Sequence, residues 1–285
     1  MIRTAVILTV YNRKEITLQG LRSLSKAIEV LGEDYTFDIY MTDDGCTDGT
    51  SEAVVKEFPD VHIIQGDGKL YWSGGMRKAW QAAIDSGVKY DYYLWFNDDA
   101  DLYDDALVTM FKSYNDAGGN AIISGAFCDG EGKASYGGRT KEKKIVVADG
   151  TLQDVYLMNG NFVLIPEKIE KTLGNIDPLY VHSLGDWDYG CRAIKSGFRV
   201  FLTSSYVGVT DRHDNNPEVY RDNRVPLYRR LRMLYSCPFY ISITFYFTKK
   251  YIGLLEAIKV LIILHAYAIC PRLYKTVHDK RTDVL

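Results

Sequence analysis

With 285 residues, 47% of them hydrophobic and 25% charged, the chain has material for a full core and is not of disordered, fibrous or disulfide-stapled type. Its five cysteines, Cys46, Cys128, Cys191, Cys237 and Cys270, are scattered with no C-x-x-C pair, which excludes the common zinc spacings and predicts reduced thiols. Net charge is −3, but residues 221–285 hold twelve Lys or Arg against four Asp or Glu, so an acidic body of −11 carries a basic tail of +8.

Residues 1–8 enter a strand-like run without the charged region, long apolar stretch and cleavage site of a signal peptide, which predicts a cytoplasmic protein. Residues 4–11 are apolar throughout, as a parallel strand buried on both faces requires. Leu18, Leu21, Leu24, Ile28 and Leu31 then recur at helical spacing, and Gly32 supplies a stop. Strands are predicted at 37–42, 61–64 and 92–96, and helices up to about residue 58 and over 74–86. Asp48 or Thr50 is a cap for the first of these helices.

Strand alternating with helix predicts an α/β, doubly wound, mostly parallel sheet with its ligand crevice at the carboxyl ends of the strands. Those ends are Tyr11-Asn12-Arg13, Asp43-Asp44, Gly66-Asp67-Gly68 and the stretch from Asn97 to Asp101. No G-x-G-x-x-G or Walker A sequence is present, which argues against the usual dinucleotide and P-loop sites. Asp98, Asp99 and Asp101 follow directly on the apolar run 92–96, so like charges crowd a hydrophobic edge and call for water or a cation. Oxygen ligands of this kind suit Mg2+ or Mn2+.

Five pieces in order, residues 9–13 (TVYNR), 43–50 (DDGCTDGT), 72–77 (WSGGMR), 97–101 (NDDAD) and 185–192 (GDWDYGCR), resemble family-2 glycosyltransferases, inverting enzymes of GT-A fold, over roughly residues 3–215. The resemblance implies a nucleotide site from Thr9, Tyr11, Asn12, Arg13 and Asp43. Tyr11 would pack on the base or simply complete the strand, and Arg13 would reach phosphate or remain a solvated turn residue. Trp72, Gly74 and Arg77 match a glycine-containing donor loop in which a helix N-terminus faces the diphosphate. Asn97 and Asp99 align with the family's metal motif, with Asp98 beside the donor and Asp98 or Asp101 able to share the ion. His213 stands where related enzymes place a further metal ligand.

Residues 105–114 read as a helix, 121–127 as a strand, 133–147 as a hairpin or loop around Gly137-Gly138, and 155–165 as a strand interrupted by Asn159-Gly160-Asn161. The stretch beginning at Leu184 opens a helix. Asp186 is matched to the catalytic base, although glycine stands where the family usually has Glu, and Trp187 and Asp188 are the acceptor candidates. Residues 251–270 are long and apolar but contain Glu256, Lys259 and His265, which favours an interfacial or subunit-contact helix over a membrane span.

The implied organisation is a GT-A catalytic domain over 1–220, divided into a nucleotide-binding half (1–102) and an acceptor half (103–220), with a helical tail over 221–285. The implied activity is metal-dependent hexosyl transfer from a UDP-sugar to a glycan or glycolipid acceptor in bacterial surface glycoconjugate synthesis. Mn2+ or Mg2+ is the cofactor, and the tail sits at the inner membrane surface or in a homo-oligomer contact. Alternatives are rhamnosyl transfer from dTDP-rhamnose and a non-catalytic nucleotide-sugar-binding protein. Nucleic acid is excluded as a partner because the tail's basic residues are broken up by long apolar stretches.

Overall fold

The computed structural model describes residues 1–210, 222–236 and 241–273. The chain divides into two compact units, Met1–Val181 with Gly185–Arg212, and His182–Leu184 with His213–Leu285.

In the first unit, β1 (Ile2–Val10), α1 (Lys14–Leu31), β2 (Tyr35–Asp43), α2 (Thr50–Glu57), β3 (His62–Gln65), α3 (Tyr71–Asp85) and β4 (Tyr92–Phe96) alternate in the order expected. There follow β5 (Asp101–Leu102), α4 (Ala106–Asp116), β6 (Ala121–Cys128), β7 (Gly138–Arg139), β8 (Gln153–Asp154) and β9 (Leu157–Met158). The unit closes with β10 (Phe162–Pro166), α5 (Glu167–Leu173), α6 (Gly185–Lys195) and β11 (Arg199–Val209). The central sheet runs β3-β2-β1-β4-β10-β6-β11-β5, with β8 also on β11, and β7 pairs with β9 in a small separate ribbon.

Alternation along the strands explains why their sequences are apolar throughout. Val6, Leu8, Leu94, Phe96, Phe162 and Leu164 face the layer of α1 and α4. Ala5, Ile7, Tyr93, Trp95, Val163 and Ile165 face the layer of α3 and α6. On α1, Leu18, Leu21 and Leu24 are the buried stripe, each worth about 1.5–3 kcal/mol against exposure.

β1 pairs in parallel with β2, with Val10 opposite Asp43, and in parallel with β4. β10 enters antiparallel, with Phe162 opposite Phe96. Reversing this one strand carries the residues just before it, Asn159-Gly160-Asn161, to the carboxyl ends of β1, β2 and β4. The amide of Asn97 donates to the carbonyl of Asn161 at 2.8 Å, closing that junction.

In the second unit, α7 (Leu227–Leu234), α8 (Ile241–Tyr251) and α9 (Leu254–Ile269) share a small core of Leu234, Ile241 and Ala268. Among the described residues no helix is long and apolar enough to cross a membrane.

Candidate active site

β4 delivers Asn97, Asp98 and Asp99 to its carboxyl end, and the three side chains part company there. Asp98 turns inward and is 1% exposed. Arg13 Nη2 lies 2.7 Å from its Oδ1, and Thr17 Oγ1 donates to its Oδ2 at 2.6 Å. Burial pushes this carboxyl up to about 6, against the lowering influence of Arg13 and Thr17. Asp99 keeps 15% of its side chain exposed, with Arg13 Nη1 3.2 Å from its Oδ2. The charge compensation that the sequence reading asked of water or a cation is therefore supplied, for Asp98, by Arg13 and Thr17 of the chain itself. Asn97 Oδ1 accepts the indole N–H of Trp72 at 2.7 Å. Asp101 is exposed and belongs to β5.

Two loops meet beside this strand end. Asn12, at φ 49°, accepts the amide of Thr47 at 2.7 Å on its Oδ1, and Asp48 accepts the amide of Lys14 at 3.0 Å. Asp43 accepts the amide of Cys46 at 2.6 Å and the hydroxyl of Ser51. Burial raises the Asp43 carboxyl, but these hydrogen bonds outweigh it and hold the group below the usual carboxylate range. Asp44 accepts the amides of Gly68, Leu70 and Tyr71 at 2.9, 3.2 and 2.9 Å, and so shapes the turn that leads into α3. A Cβ on Gly75 would come 2.0 Å from Thr9 Oγ1, so the glycine lets α3 lie directly on β1.

Asp186 occupies the first turn of α6. Its Oδ2 accepts the amide of Gly160 at 3.0 Å and its Oδ1 the amide of Trp187 at 2.8 Å. Burial pushes its carboxyl up to about 6, with the two amides pulling the other way. A Cβ on Gly160 would lie 2.4 Å from the ring of Trp72 and 3.3 Å from Cβ of Asp186. One backbone glycine thus holds the Asp186 carboxylate and seats the Trp72 ring, and that indole in turn binds Asn97. Asp188 faces the interior, fully buried, where Tyr180 Oη donates to it at 3.0 Å and Arg192 Nε at 2.9 Å.

The sequence model for glycosyl transferase family 2 matches residues 5–175. The chain belongs to this family. No curated protein matches it. Its fold is similar to that of TarS from S. aureus, at 15% identity and TM-score 0.54, over 82% of this chain and 42% of that one. It is similar to the mannosyltransferase PcManGT from Pyrobaculum calidifontis, solved with GDP-Man and Mn2+, at 15% identity and TM-score 0.54, over 95% of this chain and 86% of that one. A third is GalNAc-T7 with UDP, GalNAc and Mn2+, at 12% identity and TM-score 0.55, over 86% and 51% of the two chains. The architecture is the GT-A fold, and the chain spans less than half of that TarS chain.

On this family-2 framework the candidate residues differ in exposure and in which neighbours they meet. Asn97, Trp72 and Asp186 are brought together through Gly160, and Tyr11 and Asn12 lie exposed at the end of β1. Thr9, Asp43, Gly74, Asp98 and Asp188 are buried. Arg77 is half-buried on α3, where burial lowers its guanidinium pKa while Asp177 opposes that shift, and its Nη1 has no hydrogen-bond partner. Trp187 is partly exposed, with Lys143 Nζ 5.9 Å from its ring centroid. His213 lies outside the described residues. Among the described residues no three His, Cys, Asp or Glu side chains converge as a metal cage. The donor set at Asp99 fits a hard cation that takes one or two carboxylates and completes its shell with water and phosphate oxygens. Gly160 had no place among the sequence candidates, because a backbone amide leaves no side-chain signature. The Asn-Gly-Asn break in an apolar run was the available signal.

Proposed function

We propose that this chain is an inverting, metal-dependent glycosyltransferase that moves a hexose from a nucleoside-diphosphate sugar, a UDP-sugar first among them, to a hydroxyl of a glycan or lipid-linked glycan. The observation that carries this reading is Asp186, a carboxylate raised to about 6, aimed by the amides of Gly160 and Trp187 and joined through Trp72 and Asn97 to the acidic end of β4. Each Asp186 oxygen already accepts one amide hydrogen and retains acceptor capacity for an incoming hydroxyl. A carboxylate with a pKa near 6 is ionised at neutral pH and is a stronger base than a solvated aspartate. Asp186 takes the acceptor's proton as its oxygen attacks the anomeric carbon opposite the departing diphosphate, and inversion follows from that geometry.

Tyr11, Asn12 and Asp43 hold the nucleoside, Trp72 walls the sugar, Arg77 serves the diphosphate and Trp187 carries the acceptor. A Mn2+ or Mg2+ held by Asp99 would offset the negative charge that develops on the leaving group. Complexes of similarly folded proteins with UDP, and with GDP-Man and Mn2+, support a donor of this class. The catalytic residues all belong to the first unit. We assign the basic second unit to contact with the cytoplasmic membrane face, where surface polysaccharide or glycoconjugate would be built.

The test is nucleoside diphosphate release from UDP-glucose, UDP-galactose, UDP-N-acetylglucosamine, GDP-mannose and dTDP-rhamnose, each with Mn2+ and with EDTA. One donor should be turned over with Mn2+ and not with EDTA, giving a product of inverted anomeric configuration by NMR. Silence across the panel with Mn2+ defeats the reading, and full activity in EDTA removes the metal from it.

A further inference from the structure

A second recess lies beside α6, away from Asp186. It is a cleft of about 320 Å³ whose lining includes Lys141, Asp154, Tyr156, Ile194, Phe198 and Arg199. Its floor is apolar and aromatic. Its rim is basic on one side, with Lys141 Nζ 5.8 Å from the Tyr156 ring centroid. On the other side Arg199 is neutralised by Asp154, at 2.8 Å.

Two stretches of chain connect the cleft's lining to the candidate active site. Trp187 and Ile194 are seven residues apart on α6 and so share one helix face. Between them Cys191 Sγ donates to the carbonyl of Tyr156 at 3.8 Å, fixing that face against the segment that lines the cleft. From Tyr156 the chain runs through β9 to Gly160, whose amide holds Asp186. At 1.5 Å per residue, Asp186 and Ile194 are ~12 Å apart along α6, a separation that a few linked sugars bridge.

The hairpin 139–145 borders both ends of this path: Lys143 faces Trp187 and Lys141 faces Tyr156. It carries Arg139, Lys141, Lys143 and Lys144 against Glu142 alone, in a body whose net charge is strongly negative. Among the described residues no carboxylate lies within ion-pair distance of Lys141, Lys143 or Lys144. Aromatic faces beside a hairpin whose positive charges outnumber the one carboxylate that Lys141 and Lys144 influence, Glu142, suit a sugar chain that is itself acidic, since the rings take sugar faces and the excess lysine charge takes the negative groups.

We propose that this cleft binds the non-reacting arm of an anionic acceptor glycan, a sugar chain bearing carboxylate or phosphate groups. The proposal rests on the reading of the chain as a glycosyltransferase and adds the acceptor's chemical class. The cleft acts by affinity and positioning, so it sets KM for a long acidic acceptor and leaves the handling of the donor alone.

The test is titration of the full chain with three hexasaccharides: oligogalacturonate, maltohexaose phosphate and unmodified maltohexaose, read by tryptophan fluorescence and by calorimetry. At least one acidic chain should bind saturably and more tightly than maltohexaose, and which of the two binds tells carboxylate from phosphate. Lys141→Glu with Lys143→Glu should weaken that binding on the order of tenfold, because two attractions become repulsions. Phe198→Ala should weaken acidic and neutral chains alike. Donor hydrolysis without acceptor should be unchanged in Lys141→Glu and in Phe198→Ala. Absence of saturable binding by either acidic chain, or equal binding by the parent and the charge-reversed protein, overturns the cleft assignment even where donor turnover is normal. Loss of all donor turnover in the parent strikes the glycosyl-transfer reading instead and leaves the binding titration to judge the cleft on its own.

Discussion

Asp186 combines a catalytic position with a cost to stability. Its carboxyl is raised from 3.8 to about 6 by burial, so the folded chain holds that proton more tightly than the unfolded chain does. Between those two values the folded state binds more protons, and stability falls as pH rises through the window; the penalty is complete above about 6. A shift of this size corresponds to roughly 1–3 kcal/mol once partial exposure is allowed for. Asp186→Asn should lower transfer by about 10²–10⁴-fold with donor binding retained, and the parent's rate should fall on acidification through about pH 6. In urea unfolding, the parent should gain stability relative to Asp186→Asn as pH drops from 7 toward 4.5, and a gap that stays constant refutes the raised carboxyl. At this scale the sequence was partly legible. Strand parity accounts for Asp98: Leu94 and Phe96 face α1, so Asp98 does too, and it meets Arg13 and Thr17 there. Trp95 and Asn97 have the opposite parity, toward the side where Trp72 packs on Trp95 with ring centroids 5.9 Å apart and binds Asn97, whereas Asp99, in the turn beyond β4, returns to Arg13. The motif pattern alone treats the neighbouring acids as interchangeable, and their burial does not, since Asp98 is sealed in while Asp99 keeps part of its side chain exposed.

Arg13 is the clasp between the N-terminus of α1 and the end of β4. Gly20 allows the helix to approach that end, since a Cβ there would lie 2.2 Å from the carbonyl oxygen of Asp98. Arg13→Ala would leave Asp98 buried without its counter-charge, at a cost of about 2–4 kcal/mol, and chemical denaturation should read this directly. Adding Asp98→Asn to Arg13→Ala should restore most of the loss, because the double variant buries no charge. A double variant as unstable as Arg13→Ala alone would show that the pair is not the clasp. Elements with one dominant period, such as β1, α1 and β4, were readable from residue spacing. β10 was not readable in direction, because antiparallel entry between β4 and β6 is decided by long-range pairing and leaves no local mark. β11 was missed where Thr203-Ser204-Ser205 interrupts its apolar run, and its register on β6 shifts there, between Leu202 and Tyr206.

The whole chain divides its charge as it divides its mass, with an acidic body and a basic C-terminal region. Within the second unit α9 buries Ala257 and Ala268 and leaves Leu255, Ile258, Ile262 and Ile269 exposed, a spacing that sets the four on one face. Lys249 and Lys250 close α8, and Arg272 follows α9. The proposed contact with an anionic membrane surface would use this apolar face and its basic flanks, where each nearby Lys or Arg adds about 1 kcal/mol. The full chain should co-sediment with vesicles containing phosphatidylglycerol and less with neutral vesicles, and added salt should weaken the binding. Leu255→Glu with Ile262→Glu should reduce partitioning by about tenfold or more while donor turnover in solution is retained, since the assigned catalytic groups lie in the other unit. Duplex DNA should not compete. Equal partitioning into neutral and anionic vesicles, or a double variant that sediments like the parent, would defeat the membrane assignment, and in the second case a concentration-dependent mass by light scattering would turn the same face toward a second copy of the chain.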